Sequence, residues 1–272
     1  LIFVLIIDFV LSGSDRFVIA YYMTTKAVGY YNPGYTLGSL VIMFPKMIGV
    51  SLPQILALSS DRGKTNESKF LIEKSIKIFL ILCVPFIIGG SVLSRSLLTM
   101  LANKEVADIG YLVTPIVSCG ILFYGLNYIL ANTVIYLKMK NELVLYSNIT
   151  SAVLNIILNI IFISIFKSII VAAITTFFSY FVAFLFLNYK TRRLMRIDYN
   201  YTNILKMIFA SVLMGTYLKI LAGVFNSKIL MLTVLISSAV VLYFILIYFL
   251  HVVSSDELQY VFNFFGRKLK KS

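Results

Sequence analysis

The chain consists of long apolar stretches separated by short polar connections. Each stretch can cross about 30 Å of hydrocarbon as a helix, which takes about 20 residues. A membrane β-barrel would instead show short segments of alternating polarity. The pattern therefore predicts an all-α, polytopic membrane protein with eight transmembrane helices. The predicted spans are residues 1–22, 32–58, 70–93, 111–137, 143–166, 169–189, 204–222 and 229–251.

The composition supports the same class. Hydrophobic residues make up 60% of the chain and charged residues only 13%, whereas about 25% of the residues in a soluble protein are charged. The two cysteines, Cys83 and Cys119, both lie inside apolar stretches, so we expect small buried side chains and not a disulfide.

The basic residues predict the orientation in the membrane, because positive loops stay on the cytoplasmic side. Of the 24 Lys and Arg residues, 16 lie in alternate connections and in the tail, and six lie in the opposite connections. Both ends, Leu1 and Ser272, are thus expected to be cytoplasmic. This topology accounts for most of the net charge of +13 through contacts with anionic lipid, and we expect no nucleic-acid partner.

Polar side chains in the first span suggest a functional face. Asp8, Ser12 and Asp15 follow i, i+4, i+7 spacing, and Arg16 lies beside them. A charge at mid-bilayer costs about 2.5 to 3.5 kcal/mol. Asp15 and Arg16 either extend to the outer interface and anchor the helix, or line a water-filled cavity. In a cavity, Arg16 would hold a diphosphate or another anion, and Asp8 and Asp15 would pair with it or take up a proton.

Lys46 is the second candidate, near the centre of the second span. It follows Pro45, and a proline inside a helix removes a backbone hydrogen bond and kinks the helix. Gly38, Gly49 and Pro53 in the same span also predict a bent or hinged helix. Lys46 is a candidate substrate-binding residue; the alternative is a structural lysine paired with an acid elsewhere.

Asparagines form a further polar group in the fourth and fifth spans. Asn155 and Asn159 are four residues apart and share a helix face, and Asn127 lies in the preceding span. Such side chains either bind sugar hydroxyls or form hydrogen bonds between helices. Tyrosines cluster at span ends and predict an interfacial aromatic belt: Tyr21, Tyr22, Tyr30, Tyr31, Tyr35, Tyr189, Tyr199 and Tyr201.

The sequence contains few residue patterns that are typical of catalytic sites. The only histidine is His251, and no Cys/His or paired-carboxylate spacing indicates a metal site. The sequence has neither a phosphate-binding glycine loop nor a nucleophile motif. We therefore expect no enzyme activity, no metal and no cofactor.

Several short segments resemble the polysaccharide transporter family, the O-antigen and lipid-linked oligosaccharide flippases of the multidrug/oligosaccharidyl-lipid/polysaccharide exporter superfamily. The sequence departs from the family pattern at Lys167, Ser168 and Val171, where glycines usually open the helix. The matching segments are residues 15–19 (DRFVI), 27–31 (AVGYY), 51–53 (SLP), 154–159 (LNIILN), 171–174 (VAAI) and 179–180 (SY).

The resemblance implies a fold of two six-helix lobes around a central cavity, in which this chain supplies the second lobe. Residues 1–189 would form that lobe, 190–203 a basic cytoplasmic loop, 204–252 two additional transmembrane helices and 253–272 a basic cytoplasmic tail. The chain begins at Leu1 inside an apolar stretch, so we expect a missing amino-terminal lobe of the same protein.

The resemblance also implies a substrate, a polyprenyl-diphosphate-linked glycan that moves across the cytoplasmic membrane. Arg16 and Lys46 would neutralise the diphosphate, and Asn127, Asn155 and Asn159 would contact the sugars. Two alternatives stay open. One is a drug or metabolite exporter of the same superfamily, coupled to sodium or protons through Asp8 or Asp15. The other is an integral-membrane enzyme of polysaccharide assembly.

Overall fold

The computed structural model describes residues 13–61, 65–137, 141–224 and 229–253. Throughout these ranges the chain is helical, with short connections. The helices are α1 (residues 13–22), α2 (Thr25–Ser39), α3 (Met43–Asp61), α4 (Thr65–Leu101), α5 (Lys104–Gly110), α6 (Val113–Tyr136), α7 (Glu142–Phe166), α8 (Ile169–Leu194), α9 (Tyr201–Val224) and α10 (Ile229–Phe249).

Six of the described helices are long and apolar enough to cross a membrane: α4, α6, α7, α8, α9 and α10. Each coincides with a predicted span. The first predicted span lies mostly outside the described residues, which include only its end in α1. The prediction of eight transmembrane helices is thus confirmed in its all-α class and for six spans.

The second predicted span is not one continuous helix. It begins earlier, at Thr25, where the Thr24 side chain accepts a hydrogen bond from the backbone N–H of Ala27. A 3₁₀ turn at Leu40–Ile42 then separates α2 from α3. Pro45 has no N–H to donate to a carbonyl of the preceding turn. The carbonyls of that turn accept the tighter 3₁₀ hydrogen bonds instead. The interruption lies just before Lys46.

The chain divides into two compact units, Leu1–Tyr199 and Asn200–Ser272. This division falls inside the predicted basic loop at 190–203. Helix α8 continues to Leu194, beyond the end of the predicted span. In the second unit α9 packs against α10, and the hydroxyl of Tyr217 donates to Ser238 Oγ over 3.1 Å.

Helix α6 is the centre of the first unit. It packs against α2, α3, α4 and α8, and 61% of its most apolar segment is buried, compared with 28% for α7. A helix that is apolar around its whole circumference is suited to this central position. Polar side chains of α1, α2, α7 and α8 lie close together in the same unit.

Small residues allow α2 to approach α6 closely. A Cβ added at Gly38 would lie 2.7 Å from the carbonyl oxygen of Thr114, and one added at Gly34 would lie 2.7 Å from that of Gly110. The hydroxyls of Thr114 and Ser118 donate to the Gly34 and Gly38 carbonyls over 3.1 and 3.2 Å. Two facing rows of small residues are a common way for membrane helices to pack.

We expect Gly38→Ala to lower the free energy of unfolding by about 1 to 3 kcal/mol, the usual cost of overpacking a tight contact. Gly29→Ala is the matched control on the same helix, because nothing lies within 4 Å of a Cβ there. It should leave stability unchanged or raise it slightly. Unfolding in mixed detergent micelles measures both; equal losses in the two variants would contradict the close contact.

An ion pair and a hydrogen bond connect the segment after α8 to the start of α4. Lys69 Nζ lies 2.6 Å from Asp198 Oδ2, and the backbone N–H of Asp198 donates to Glu73 Oε1 over 2.8 Å. Ile197 beside them is buried. The hydrogen bond from Lys69 holds the pKa of the Asp198 carboxyl below its ordinary value.

A depressed carboxyl pKa stabilises the fold above the unfolded-state pKa of about 4, and that stabilisation is lost as the pH falls through the folded-state pKa. We therefore expect Asp198→Asn to lower the Tm at neutral pH but not at about pH 2. Glu142→Gln is the control, since Glu142 makes no ion pair with any described residue. A Tm difference that persists in acid would rule out the ion pair as its cause.

Candidate functional site

Asp15 is buried at the centre of a hydrogen-bond network in the first unit. Its side chain is 1% exposed. The Tyr31 hydroxyl donates to Asp15 Oδ2 over 2.7 Å, and the Thr176 hydroxyl donates to the same oxygen over 2.8 Å. The amide of Asn159 donates to Asp15 Oδ1 over 2.6 Å. Three neutral donors thus take the place of water around this carboxyl group.

Further bonds extend this network between α1, α7 and α8. Asn155 Nδ2 donates to Thr176 Oγ1 over 3.1 Å, and Ser14 Oγ donates to Asn155 Oδ1 over 2.8 Å. The Thr175 hydroxyl donates to Asn159 Oδ1. With Tyr31 the network also reaches α2. We call the Asp15 network the set Ser14, Asp15, Tyr31, Asn155, Asn159, Thr175 and Thr176.

The structure brings three predicted site residues, Asp15, Asn155 and Asn159, into one cluster. Asn155 and Asn159 are at most 1% exposed, and they form the hydrogen bonds between helices that were the alternative to sugar binding. In this conformation they have no surface for a substrate. A contact with sugar would require the helices to separate, so that role stays a prediction.

Asn127 lies apart from the Asp15 network. Its side chain is 5% exposed and accepts a hydrogen bond from Ser147 Oγ over 3.1 Å, which joins α6 to α7. The same Ser147 hydroxyl lies 3.0 Å from the carbonyl oxygen of Ala183 in α8. Through Ser147, Asn127 therefore connects three helices. Its predicted contact with sugar would also require the helices to separate.

Arg16 lies at the edge of the network and points toward α2. Its Nε donates to Asn32 Oδ1 over 2.8 Å, and its guanidinium carbon lies 5.1 Å from the ring centroid of Tyr35. Arg16 is half-buried, whereas Asn32 is exposed.

An exposed face continues from Asn32 along α2 and α3. Exposed residues recur every three or four positions through the 3₁₀ turn, as expected for one side of a helix. Lys46 is among them and makes no ion pair with any residue that the structure describes. We call this set the α2–α3 face: Gly29, Asn32, Thr36, Leu40, Met43, Lys46, Met47 and Val50.

Two other predictions have different outcomes. Asp8 lies outside the described residues. Tyr31 and Tyr35 were expected in the interfacial aromatic belt, but they are 0% and 6% exposed and their rings face the polar cluster. That assignment was wrong for these two residues, because a tyrosine near a span end can also turn its hydroxyl inward to a buried acceptor.

Four members of the Asp15 network were not predicted from the sequence: Ser14, Tyr31, Thr175 and Thr176. The adjacent threonines are polar positions inside the apolar stretch of α8, which is a usable signal. A hydroxyl in a membrane helix can also bond its own backbone, as Thr176 does to Ala172. Among the described residues, no group of three or more His, Cys, Asp or Glu side chains could hold a metal ion.

The six long apolar helices define a multi-pass membrane protein. Residues 1–161 match the MatE family, so the chain belongs to that family, within the superfamily that the sequence motifs indicated. The matched residues include α1 to α6 and most of α7, and thus Asp15, Arg16, Lys46, Asn155 and Asn159.

Two similar proteins are flippases by name. The probable flippase AglR of Haloferax volcanii is 22% identical over 111 residues, which is 41% of this chain and 23% of AglR. The lipid II flippase MurJ, in an inward closed conformation, has the same fold with a TM-score of 0.66 and 18% identity. That alignment covers 87% of this chain and 50% of MurJ. The chain thus spans half or less of these two relatives.

Proposed function

We propose that this chain is the second lobe, with two additional helices, of a transporter that flips a lipid-linked oligosaccharide across the cytoplasmic membrane. The observation that carries the proposal is the α2–α3 face, which places a lysine on the exposed side of an apolar helix. About 20 Å along the same face, Asn32 contacts a half-buried arginine. Intramembrane cations are rare and usually face a water-filled cavity or a functional partner. A polyprenyl diphosphate supplies a matching anion.

The spacing of the two cations suggests how a diphosphate would move. Asn32, which contacts Arg16, and Lys46 are 14 positions apart, about 20 Å along a helix. One diphosphate group is too small to touch both. We propose that the cations act in turn, Lys46 nearer the cytoplasmic entrance and Arg16 nearer the outer exit, as the lobes rock against each other.

The buried asparagines would then serve the sugars only in part of the cycle. Asn127, Asn155 and Asn159 lie between helices, so rearrangement of α6, α7 and α8 would be needed to expose them. Two polar side chains of the α2–α3 face, Asn32 and Thr36, would contact a glycan without such a rearrangement. They are exposed and lie on the same side of α2.

A second function, ion coupling, is favoured by the Asp15 network. A buried carboxyl group with the hydroxyl oxygens of Tyr31 and Thr176 beside it offers oxygen ligands of the kind that a small cation prefers, or a site for a proton. We propose that sodium or a proton binds at Asp15 and biases the packing of α1 against α7 and α8. This coupling would serve a flippase or an exporter of drugs or metabolites equally.

Reconstitution tests the lobe assignment. Vesicles that contain the product of the complete coding sequence should flip a fluorescent lipid-linked oligosaccharide, and vesicles that contain this chain alone should not. The chain alone should still bind the lipid, since the α2–α3 face lies within it. Flipping by the chain alone would contradict the two-lobe proposal, because no second lobe would then be needed to close the cavity.

A further inference from the structure

An apolar groove lies between α7 and α8. Its volume is about 490 Å³, and Leu154, Leu158, Phe162 and Phe166 form one wall. The other wall includes Phe178 of α8. Both helices can cross a membrane, and Phe166 and Phe178 are 61% and 48% exposed. We expect an exposed apolar groove between two such helices to open toward the hydrocarbon of the bilayer.

The length of the groove corresponds to one leaflet. Leu154 and Phe166 are 12 positions apart, which is about 18 Å along an α-helix. Half of the hydrocarbon core is about 15 Å. The groove begins near the middle of α7 and ends where α7 ends, at the connection to α8. A single hydrocarbon chain that enters from that leaflet would lie along its whole length.

Lys167 lies at the end of the groove. It follows Phe166 directly, it is exposed, and it makes no ion pair with any described residue. Its φ of 44° places it in the left-handed region, which usually requires glycine at a helix end. The chain thus keeps a cation at a position where glycine would be conformationally easier. Because Lys167 ends a helix that can cross a membrane, we expect its charge at the depth of the lipid phosphates.

We propose that the groove binds one anionic phospholipid, with an acyl chain along Leu154 to Phe166 and its phosphate against Lys167. The apolar walls match the acyl chain, and the lysine matches the negative head group. A neighbouring protein helix would fill the apolar part of the groove but would leave the lysine charge without a counterion. The site is separate from the α2–α3 face and does not depend on the proposed substrate.

The groove also touches the Asp15 network through one side chain. Thr175 lines the groove, and its hydroxyl donates to Asn159 Oδ1. Asn159 in turn donates to Asp15. A lipid in the groove therefore packs against the outer side of the network, and its binding stabilises the conformation in which α7 and α8 hold Asp15.

The absence of tryptophan from the sequence gives a direct test. Phe162→Trp places a single fluorophore in the groove, and Ile161→Trp is the control at nearly the same depth, where Ile161 is 45% exposed outside the groove. Each variant of the full chain is reconstituted in phosphatidylcholine vesicles that contain a small fraction of phosphatidylglycerol. Bromine atoms on the acyl chains of one lipid at a time quench nearby tryptophan.

We expect brominated phosphatidylglycerol to quench Phe162→Trp as if its local concentration were about fivefold higher than at Ile161→Trp. Lys167→Gln should remove this enrichment, and Lys167→Arg should retain it. Phe178→Trp is a second reporter, should Phe162→Trp fail to fold. Equal quenching at the groove and control positions would overturn the proposal. So would enrichment that survives Lys167→Gln, or a groove tryptophan that no brominated lipid quenches.

Discussion

Replacement of Asp15 by alanine is expected to lower the free energy of unfolding by about 2 to 4 kcal/mol. The substitution removes the acceptor of the Tyr31 hydroxyl. It leaves Thr176 and Asn159 only their longer bonds, to the carbonyl oxygen of Ala172 and to Asn155 Oδ1. An unsatisfied buried donor costs about 1 to 3 kcal/mol in water-soluble proteins. Hydrogen bonds between membrane helices average nearer 0.6 kcal/mol, so one unsatisfied donor and two lost bonds give the stated range.

Asp15→Asn separates the lost hydrogen bonds from the lost charge. Its Oδ1 still accepts from Asn159, and the two hydroxyls can rotate to accept from its amide. We expect a stability loss clearly smaller than that of Asp15→Ala. Unfolding in mixed micelles measures the stability of both variants. A loss for Asp15→Ala no greater than for Asp15→Asn would mean that the network does not hold α1 to α7 and α8.

The second large effect is expected at Lys46. Lys46→Ala in the complete protein should reduce the flipping rate of a lipid-linked diphosphate substrate about tenfold or more. A charge-assisted hydrogen bond to a phosphate is worth about 1.5 to 3 kcal/mol, and 1.4 kcal/mol is a factor of ten. Lys46→Arg keeps the charge on the exposed side of α3 and should retain most of the rate.

The matched control for Lys46 is Lys104→Ala, at the start of α5. Lys104 is also exposed, but it lies outside the α2–α3 face. Lys104→Ala removes the same charge from the protein as Lys46→Ala does, and it should leave the flipping rate unchanged. Initial rates of flipping in vesicles, corrected for the amount of reconstituted protein, check all three variants. Equal losses in Lys46→Ala and Lys104→Ala would point to net charge instead of a local site.

The sequence was sufficient to predict most of the helices, because a stretch of about 20 apolar residues has few alternatives to a membrane helix. It was not sufficient for the 3₁₀ turn at Leu40–Ile42. Pro45 predicted a bend, but where the helix breaks depends on which carbonyls find other donors. Helix α5 was also missed, although Asn103 caps it by accepting from the N–H of Val106. A capped helix of seven residues gives a weak signal.

The residues of the site were easier to predict from the sequence than the contacts between them. The cost of a buried charge marked Asp15, and i, i+4 spacing marked Asn155 and Asn159 as one face. Asp15 and Asn159 are separated by 144 positions, and no pattern within one helix shows which faces pack together. Tyr31 was assigned to the wrong environment because position along a span does not give the direction of its hydroxyl.

A comparison of two cargoes tests most directly whether the complete protein carries a lipid-linked glycan. Vesicles with the complete protein are given either a labelled polyprenyl-diphosphate-linked oligosaccharide or a soluble cationic drug. We predict that the glycan lipid flips, that the drug does not compete, and that Lys46→Ala lowers the flipping rate about tenfold or more. Drug export with no movement of the glycan lipid would contradict the claim and favour an ion-coupled exporter that uses Asp15.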